Sequence, residues 1–239
     1  LCDSQVCCVN FLFPFMEQPD ALAEMLQPLY PTLKTMLPLE REGQFVAFEW
    51  IGEKNYLNER VRGSNRTRGA NSTSVDAAVM FQHADGKRQF VLIEWKYTES
   101  YSSLSYAISP RGTDRTAIYA PLYERDDCPL DSAAIPQFSA LFHEPFYQLM
   151  RQQFLANEME KAHELGADVV SVLHIAPAHN RDFLRVTSPD LQPLGSSVTE
   201  VWRKLVRQHE QFESINTERL FTPLGLSESS KPLRPWCEY

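Results

Sequence analysis

Hydrophobic residues run without a break from Phe90 to Ile93 and then meet two charges set one residue apart, in Phe90-Val91-Leu92-Ile93-Glu94-Trp95-Lys96-Tyr97. A continuous apolar run of this kind predicts an interior strand covered on both faces. A second run, Ser74-Val75-Asp76-Ala77-Ala78-Val79-Met80-Phe81, lies just upstream. Between the two, His83-Ala84-Asp85-Gly86-Lys87 is a turn signal, so the pair predicts a β-hairpin.

Elsewhere the pattern is helical or mixed. From Pro145 to Leu165, Phe146, Leu149, Met150, Phe154 and Met159 form one stripe, with Pro145 at the start and Gly166 at the end. Ala167 to Ala176 then predicts another buried strand, in which His174 reads as a satisfied core histidine. His179, Asn180 and Arg181 emerge just past that strand's end. Gln44 to Arg60 predicts a helix with Phe45, Phe48, Ile51 and Tyr56 inward, weakened by Gly52. Asp20 to Leu37 predicts helical pieces broken at prolines, and Val198 to Phe212 a further helix. No run before Asp76 patterns as a first core strand.

Turn parity decides which charges meet. A two-residue loop at Asp85-Gly86 would set Asp76 opposite Trp95 and leave Glu94 and Lys96 on the other face. A three-residue loop, Ala84-Asp85-Gly86, puts glycine at the left-handed position and pairs His83 with Lys87. Asp76 then faces Glu94, and Lys96 shares that face because strand side chains alternate. The three-residue loop is the expectation.

Interior strands seldom carry ionised groups, because a buried charge is costly unless paired or bound to metal. Two facing carboxylates repel, and one protonates unless a cation lies between them. A hard divalent ion suits such a pair: Mg²⁺, with Mn²⁺ as a substitute. Asp76 and Glu94 are the expected ligands, and Lys96 would orient a water or steady developing negative charge. The plain alternative is a hairpin with one cross-strand ion pair.

Asp76 followed on the next strand by Glu94-x-Lys96 resembles the signature of the PD-(D/E)xK nuclease superfamily. Within it, the stretches Arg68-Gly69-Ala70-Asn71-Ser72-Thr73-Ser74-Val75-Asp76-Ala77 and Leu92-Ile93-Glu94-Trp95-Lys96-Tyr97-Thr98-Glu99-Ser100 resemble a group of bacterial restriction-endonuclease-like proteins. The motif spans residues 45–100, and Val75 stands where the family usually has proline. The resemblance implies an α/β fold, a restriction-endonuclease-like core with a central mixed β-sheet flanked by helices. It also implies an endonuclease that hydrolyses DNA phosphodiester bonds with Mg²⁺, Asp76, Glu94 and Lys96 being catalytic. Relatives often bring a further acid from the helix before the hairpin. Glu49, preferred to Glu53 on the same face, is the candidate, with a helix-surface carboxylate as the equal alternative. Relatives can also present Gln or Tyr from the helix after the hairpin, a role that Gln148 and Gln152 could fill, with ordinary helix-surface glutamines as the favoured alternative. Some hold an iron–sulfur cluster with cysteines from both ends of the domain. Here Cys7 and Cys8 are adjacent and Cys2 and Cys237 fit no ligand spacing, so buried free thiols are expected instead of a cluster.

Composition sets the frame. With 239 residues and 43% hydrophobic content, the chain can bury one sizeable core. A single domain over residues 1–239 is expected, its core at 44–180 carrying N- and C-terminal extensions. No run is long enough for a membrane helix, and Val6 to Met16 lacks the basic flank of a signal peptide, so a cytoplasmic protein is expected. A net charge of −8 argues against a general polyanion-binding surface. DNA would then be met by a local basic patch. The candidate is the Arg60–Asn71 loop, with Arg62, Arg66, Arg68 and Asn71 as phosphate contacts. A solvated loop balancing Glu53 and Glu59 is the alternative. Arg111, Arg115 and Arg125 form a looser second set. A homodimer would suit double-strand cleavage. Three readings stay open: a Mg²⁺-dependent DNA endonuclease, a non-catalytic nucleic-acid-binding module of the same fold, and an interaction protein with an ion-paired strand.

Overall fold

Three short strands absent from the sequence expectation complete a six-stranded sheet. The structure is a computed structural model, and it describes residues 3–40, 42–59, 66–68, 72–225, 227–228 and 230–233. The strands are β1 (Leu33–Leu37), β2 (Val46–Trp50), β3 (Val75–His83), β4 (Arg88–Trp95), β5 (Val169–Ala176) and β6 (Phe212–Asn216). The helices are α1 (Ser4–Leu12), α2 (Pro19–Leu26), α3 (Thr116–Tyr123), α4 (Phe146–Lys161), α5 (Val198–Leu205) and α6 (Thr217–Leu220).

Strand order is β1-β3-β4-β5-β6, and β2 shares the β1 edge of β3. β1 pairs the far end of β3, from Met80 to His83, and β2 pairs its near end, from Val75 to Val79, both antiparallel. The β3–β4 hairpin is antiparallel, whereas β4–β5 and β5–β6 are parallel. Parallel neighbours need a long crossover, and the segment carrying α3 and α4 supplies the one from β4 to β5. This mixed α/β architecture, an open sheet flanked by helices, is the restriction-endonuclease-like fold that the hairpin motif implies.

The sheet separates two apolar layers. Ala78, Met80, Phe90, Leu92, Val170 and Val172 face α4 and α5, meeting Phe146, Leu149, Met150, Phe154, Met159 and Trp202. Val79, Phe81, Val91, Ile93, Trp95, Leu173 and Ile175 face Leu12, Phe15, Leu22 and Leu26 of the N-terminal helical segment. β4 is covered on both sides, which is why its run is continuous rather than alternating. Among the described residues no helix is long and apolar enough to cross a membrane.

The hairpin turn follows the three-residue expectation. The ladder runs from Gln82 opposite Arg88 to Ala77 opposite Ile93, and the His83 N–H donates to the Lys87 carbonyl at 2.8 Å. Gly86 has φ +93°, a conformation that any side chain would strain.

The helix expected over 44–60 does not form. Val46, Ala47 and Phe48 are paired with β3, and Glu49 and Gly52 have φ +53° and +73°. Two left-handed residues three apart cannot belong to a right-handed helix, and the open edge of β3 outweighs a local i, i+3 pattern. Likewise α2 stops at Leu26 and residues 33–37 extend along β3 instead of forming another helical piece. The helix expected to reach Leu165 ends at Lys161, before left-handed His163 and Leu165. That expected over 198–212 ends at Leu205, and β6 follows.

Because Gly86 sets the register, Gly86→Ala should lower the unfolding free energy by about 1–2 kcal/mol. Its Cβ would meet open space, so the loss is backbone strain alone. Urea denaturation checks this. An unchanged midpoint would mean that the turn tolerates an L-residue there.

Candidate active site

One further step along the hairpin register sets Asp76 opposite Glu94, at the end of the sheet where β2 and β4 finish. Parity then places Asp76, Glu94 and Lys96 on the α4 face, with Ala78 and Leu92. Glu94 is 1% exposed and Lys96 4%, so both charges are withdrawn from water. The Lys96 ammonium donates to Glu94 Oε1 at 2.5 Å. Asp76 Oδ2 accepts the Trp95 backbone N–H at 2.7 Å, which ties the first acid to the strand bearing the second.

Burial, with Glu94 opposite, pushes the Asp76 carboxyl up to about 8, against the opposing pull of Lys96 and the Trp95 N–H. Burial works against the charge on Lys96, but Glu94, aided by Tyr101 and Asp76, outweighs it and raises the ammonium above its ordinary value. Lys96 is therefore a fixed cation rather than a base. Near pH 7 the Asp76 carboxyl is largely neutral and Lys96 is an ammonium.

Helix α4 closes the site from above. Gln152 is fully buried, and its amide Nε2 donates to Glu94 Oε2, so both oxygens of Glu94 are engaged. One turn earlier, the Gln148 backbone N–H donates to Glu144 at 3.2 Å. Burial raises the Glu144 carboxyl, with Arg151 and Lys96 opposing. β5 brings His174 into register beside Glu94, and its ring stacks on Phe183 at 4.7 Å. Burial, then Lys96, lowers the imidazole to about 3, so it is neutral at physiological pH. Its Nε2 is buried without a hydrogen-bond partner, so it is not the satisfied core histidine of the sequence reading.

Glu49 lies opposite Asp76 by register, but on an edge strand and not on a helix. Its left-handed backbone shifts the strand's facing there: Ala47 and Trp50, three apart, enter the same apolar layer. Among the described residues no three His, Cys, Asp or Glu side chains gather to hold a metal ion. The acidic donors that face one another are Asp76 and Glu94.

The basic loop is only partly described. Arg62 and Asn71 lie outside the described residues. Arg66 donates to the backbone carbonyls of Ile51 and Gly52, and Arg68 pairs with Glu40 at 2.5 Å and covers the Trp50 ring at 4.8 Å. Both line an open cavity of about 480 Å³ with Trp50 at the site end of β2. Cys7, Cys8 and Cys128 are free thiols, while Cys2 and Cys237 lie outside the described residues.

The whole chain, residues 1–239, matches the family described as restriction endonuclease associating with ARP (REase-ARP). The chain belongs to this family. No curated protein and no solved structure matches it. In this REase-ARP chain the Asp76–Glu94–Lys96 trio is joined by residues that the motif does not contain: Gln152 as a clamp on Glu94, His174 beside it, and Glu144 and Tyr101 within electrostatic reach of Lys96. For His174 the available signal was its place near the end of a buried strand, level with Glu94.

A carboxyl raised in the folded state adds stability fully below its unfolded value, near 3.9, and loses it as pH rises through about 8. In EDTA the chain should therefore melt at a higher temperature at pH 5 than at pH 8 through Asp76. Asp76→Asn should flatten that slope and match or exceed the parent at pH 8. Circular-dichroism melts across this range check it, and an unchanged slope in the variant would contradict the assignment.

Proposed function

We propose that this REase-ARP chain is a Mg²⁺-dependent endonuclease that hydrolyses DNA phosphodiester bonds. The observation that carries the reading is the facing pair Asp76–Glu94, Asp76 half-buried and Glu94 buried, with the buried Lys96 on the same face. Family membership supports a nuclease; the facing pair of acids supports a metal-dependent one.

The donor set fits a hard cation. Mg²⁺ needs only one or two protein carboxylates, keeping waters and substrate phosphate as its other ligands. Asp76 and Glu94 would hold it, and a cation there would offset the burial and the facing Glu94 that raise the Asp76 carboxyl. When bound, such an ion polarises a phosphoryl oxygen and lowers the pKa of a bound water. Mn²⁺ meets the same oxygen donors.

The chain's own groups do the rest. Lys96, held as ammonium by Glu94, is placed to orient a water or to stabilise negative charge growing on the phosphate. Gln152 keeps Glu94 in one orientation through its amide. Glu49, at the neighbouring strand end, is the further acid in this reading. Arg68, over Trp50 at the mouth of the adjoining cavity, and Arg66 would border the path of the DNA backbone. Gln148, partly exposed on α4, would approach the same strand.

Incubation with plasmid DNA and Mg²⁺ should produce nicked and linear forms, Mn²⁺ should substitute, and EDTA should abolish cleavage. Glu94→Ala and Lys96→Ala should each reduce the rate by about 10²-fold or more. Cleavage that persists in EDTA, or in both variants, would overturn the proposal.

A further inference from the structure

Two arginines from distant segments meet one tyrosine ring of α4. Arg151, next to Gln152 on α4, lies 4.5 Å from the centre of the Tyr147 ring, and its Nη1 reaches Thr73 Oγ1 at 3.4 Å. Thr73 stands three residues before Asp76 on the approach to β3. Arg115, from the segment after β4, approaches the same ring at 5.7 Å and that of Tyr106 at 5.9 Å. Tyr106 and Tyr147 are themselves parallel, 6.0 Å apart. Arg115 donates to the Tyr106 backbone carbonyl at 3.1 Å.

Among the described residues neither guanidinium forms an ion pair with a carboxylate, although the chain carries 31 acidic residues against 23 basic ones. Glu59 and Glu144 act on Arg151 from a distance, but both Glu59 oxygens and Glu144 Oε2 accept from other donors. Glu59 accepts from the Thr73 backbone and hydroxyl and from Tyr119 at 2.7 Å, and Glu144 accepts from Gln148. Arg151 Nε is buried without a hydrogen-bond partner. A guanidinium partly withdrawn from water without a counter-ion is costly, and a bound anion removes that cost. Arginine forks suit phosphate in particular, and the tyrosine rings hold both side chains in place through cation–π contact.

We propose that Arg115 and Arg151 form a clamp for a backbone phosphate of the nucleic acid next to the Asp76–Glu94–Lys96 centre. The clamp rests on the nuclease reading above, and it makes α4 and the segment after β4 a nucleic-acid-binding face separate from the Arg60–Asn71 loop.

The test compares the parent with Arg115→Gln/Arg151→Gln and Arg115→Lys/Arg151→Lys. Binding of a duplex oligonucleotide is read by fluorescence anisotropy over a salt series, with Ca²⁺ replacing Mg²⁺. The glutamine pair should bind about 10²-fold more weakly and lose about two from the slope of log affinity against log salt; the lysine pair should recover the slope. Equal affinity and slope in a glutamine pair that melts like the parent would overturn the clamp. So would a lysine pair that fails to recover the slope, since stacking rather than charge would then matter. If the parent neither binds nor cuts nucleic acid, the nuclease reading fails, and inorganic phosphate decides the clamp. Phosphate raising the melting temperature of the parent more than that of the glutamine pair supports it, and equal shifts overturn it.

Discussion

The arrangement depends on one electrostatic conflict: Asp76 and Glu94 are forced face to face inside a sheet. Neither can turn away, because the hairpin register fixes which residues oppose and the apolar layers on both faces fix the register. With Glu94 buried and Asp76 half-buried, a proton or a cation relieves the repulsion between them. Here the proton goes to Asp76, while Lys96 neutralises Glu94. A hydrogen bond from the Trp95 backbone and an amide from Gln152 hold both acids where the conflict persists. In the proposed nuclease, a cation would compete with that proton for the two acids.

Helix α4 links this site to the fold. Its apolar side fills the layer over β3, β4 and β5, and the same helix aims Gln152 at Glu94 and Arg151 at Tyr147 and Thr73. The packing that stabilises the domain core therefore sets the distance between acids and arginines. β5 adds His174, neutral and stacked on Phe183, which fills the space beside Glu94 without bringing another positive charge.

What could be read in advance follows from the range of each signal. The β3–β4 hairpin, its three-residue turn, α4 and β5 are long apolar segments bounded by their own turn or cap residues, so local pattern suffices. β1, β2 and β6 are each five residues long, and their identity rests on partners distant in the chain. Glu49 shows the cost: its helical spacing was plausible, yet a left-handed backbone puts it on a strand edge. The trio at Asp76, Glu94 and Lys96 was visible because strand parity converts spacing into facing. Arg115 and Arg151 belong to separate segments, and only the folded chain shows that they share a ring.

The central claim is that Asp76 and Glu94 together make a divalent-cation site. Titration of the protein with Mn²⁺, followed by the electron paramagnetic resonance signal of the free ion, measures this without reference to catalysis. The parent should bind Mn²⁺ and release protons as it does so, because Asp76 is protonated in the metal-free state. Asp76→Asn and Glu94→Gln should each abolish this binding while remaining folded. Mn²⁺ bound as tightly by both variants as by the parent would contradict the account.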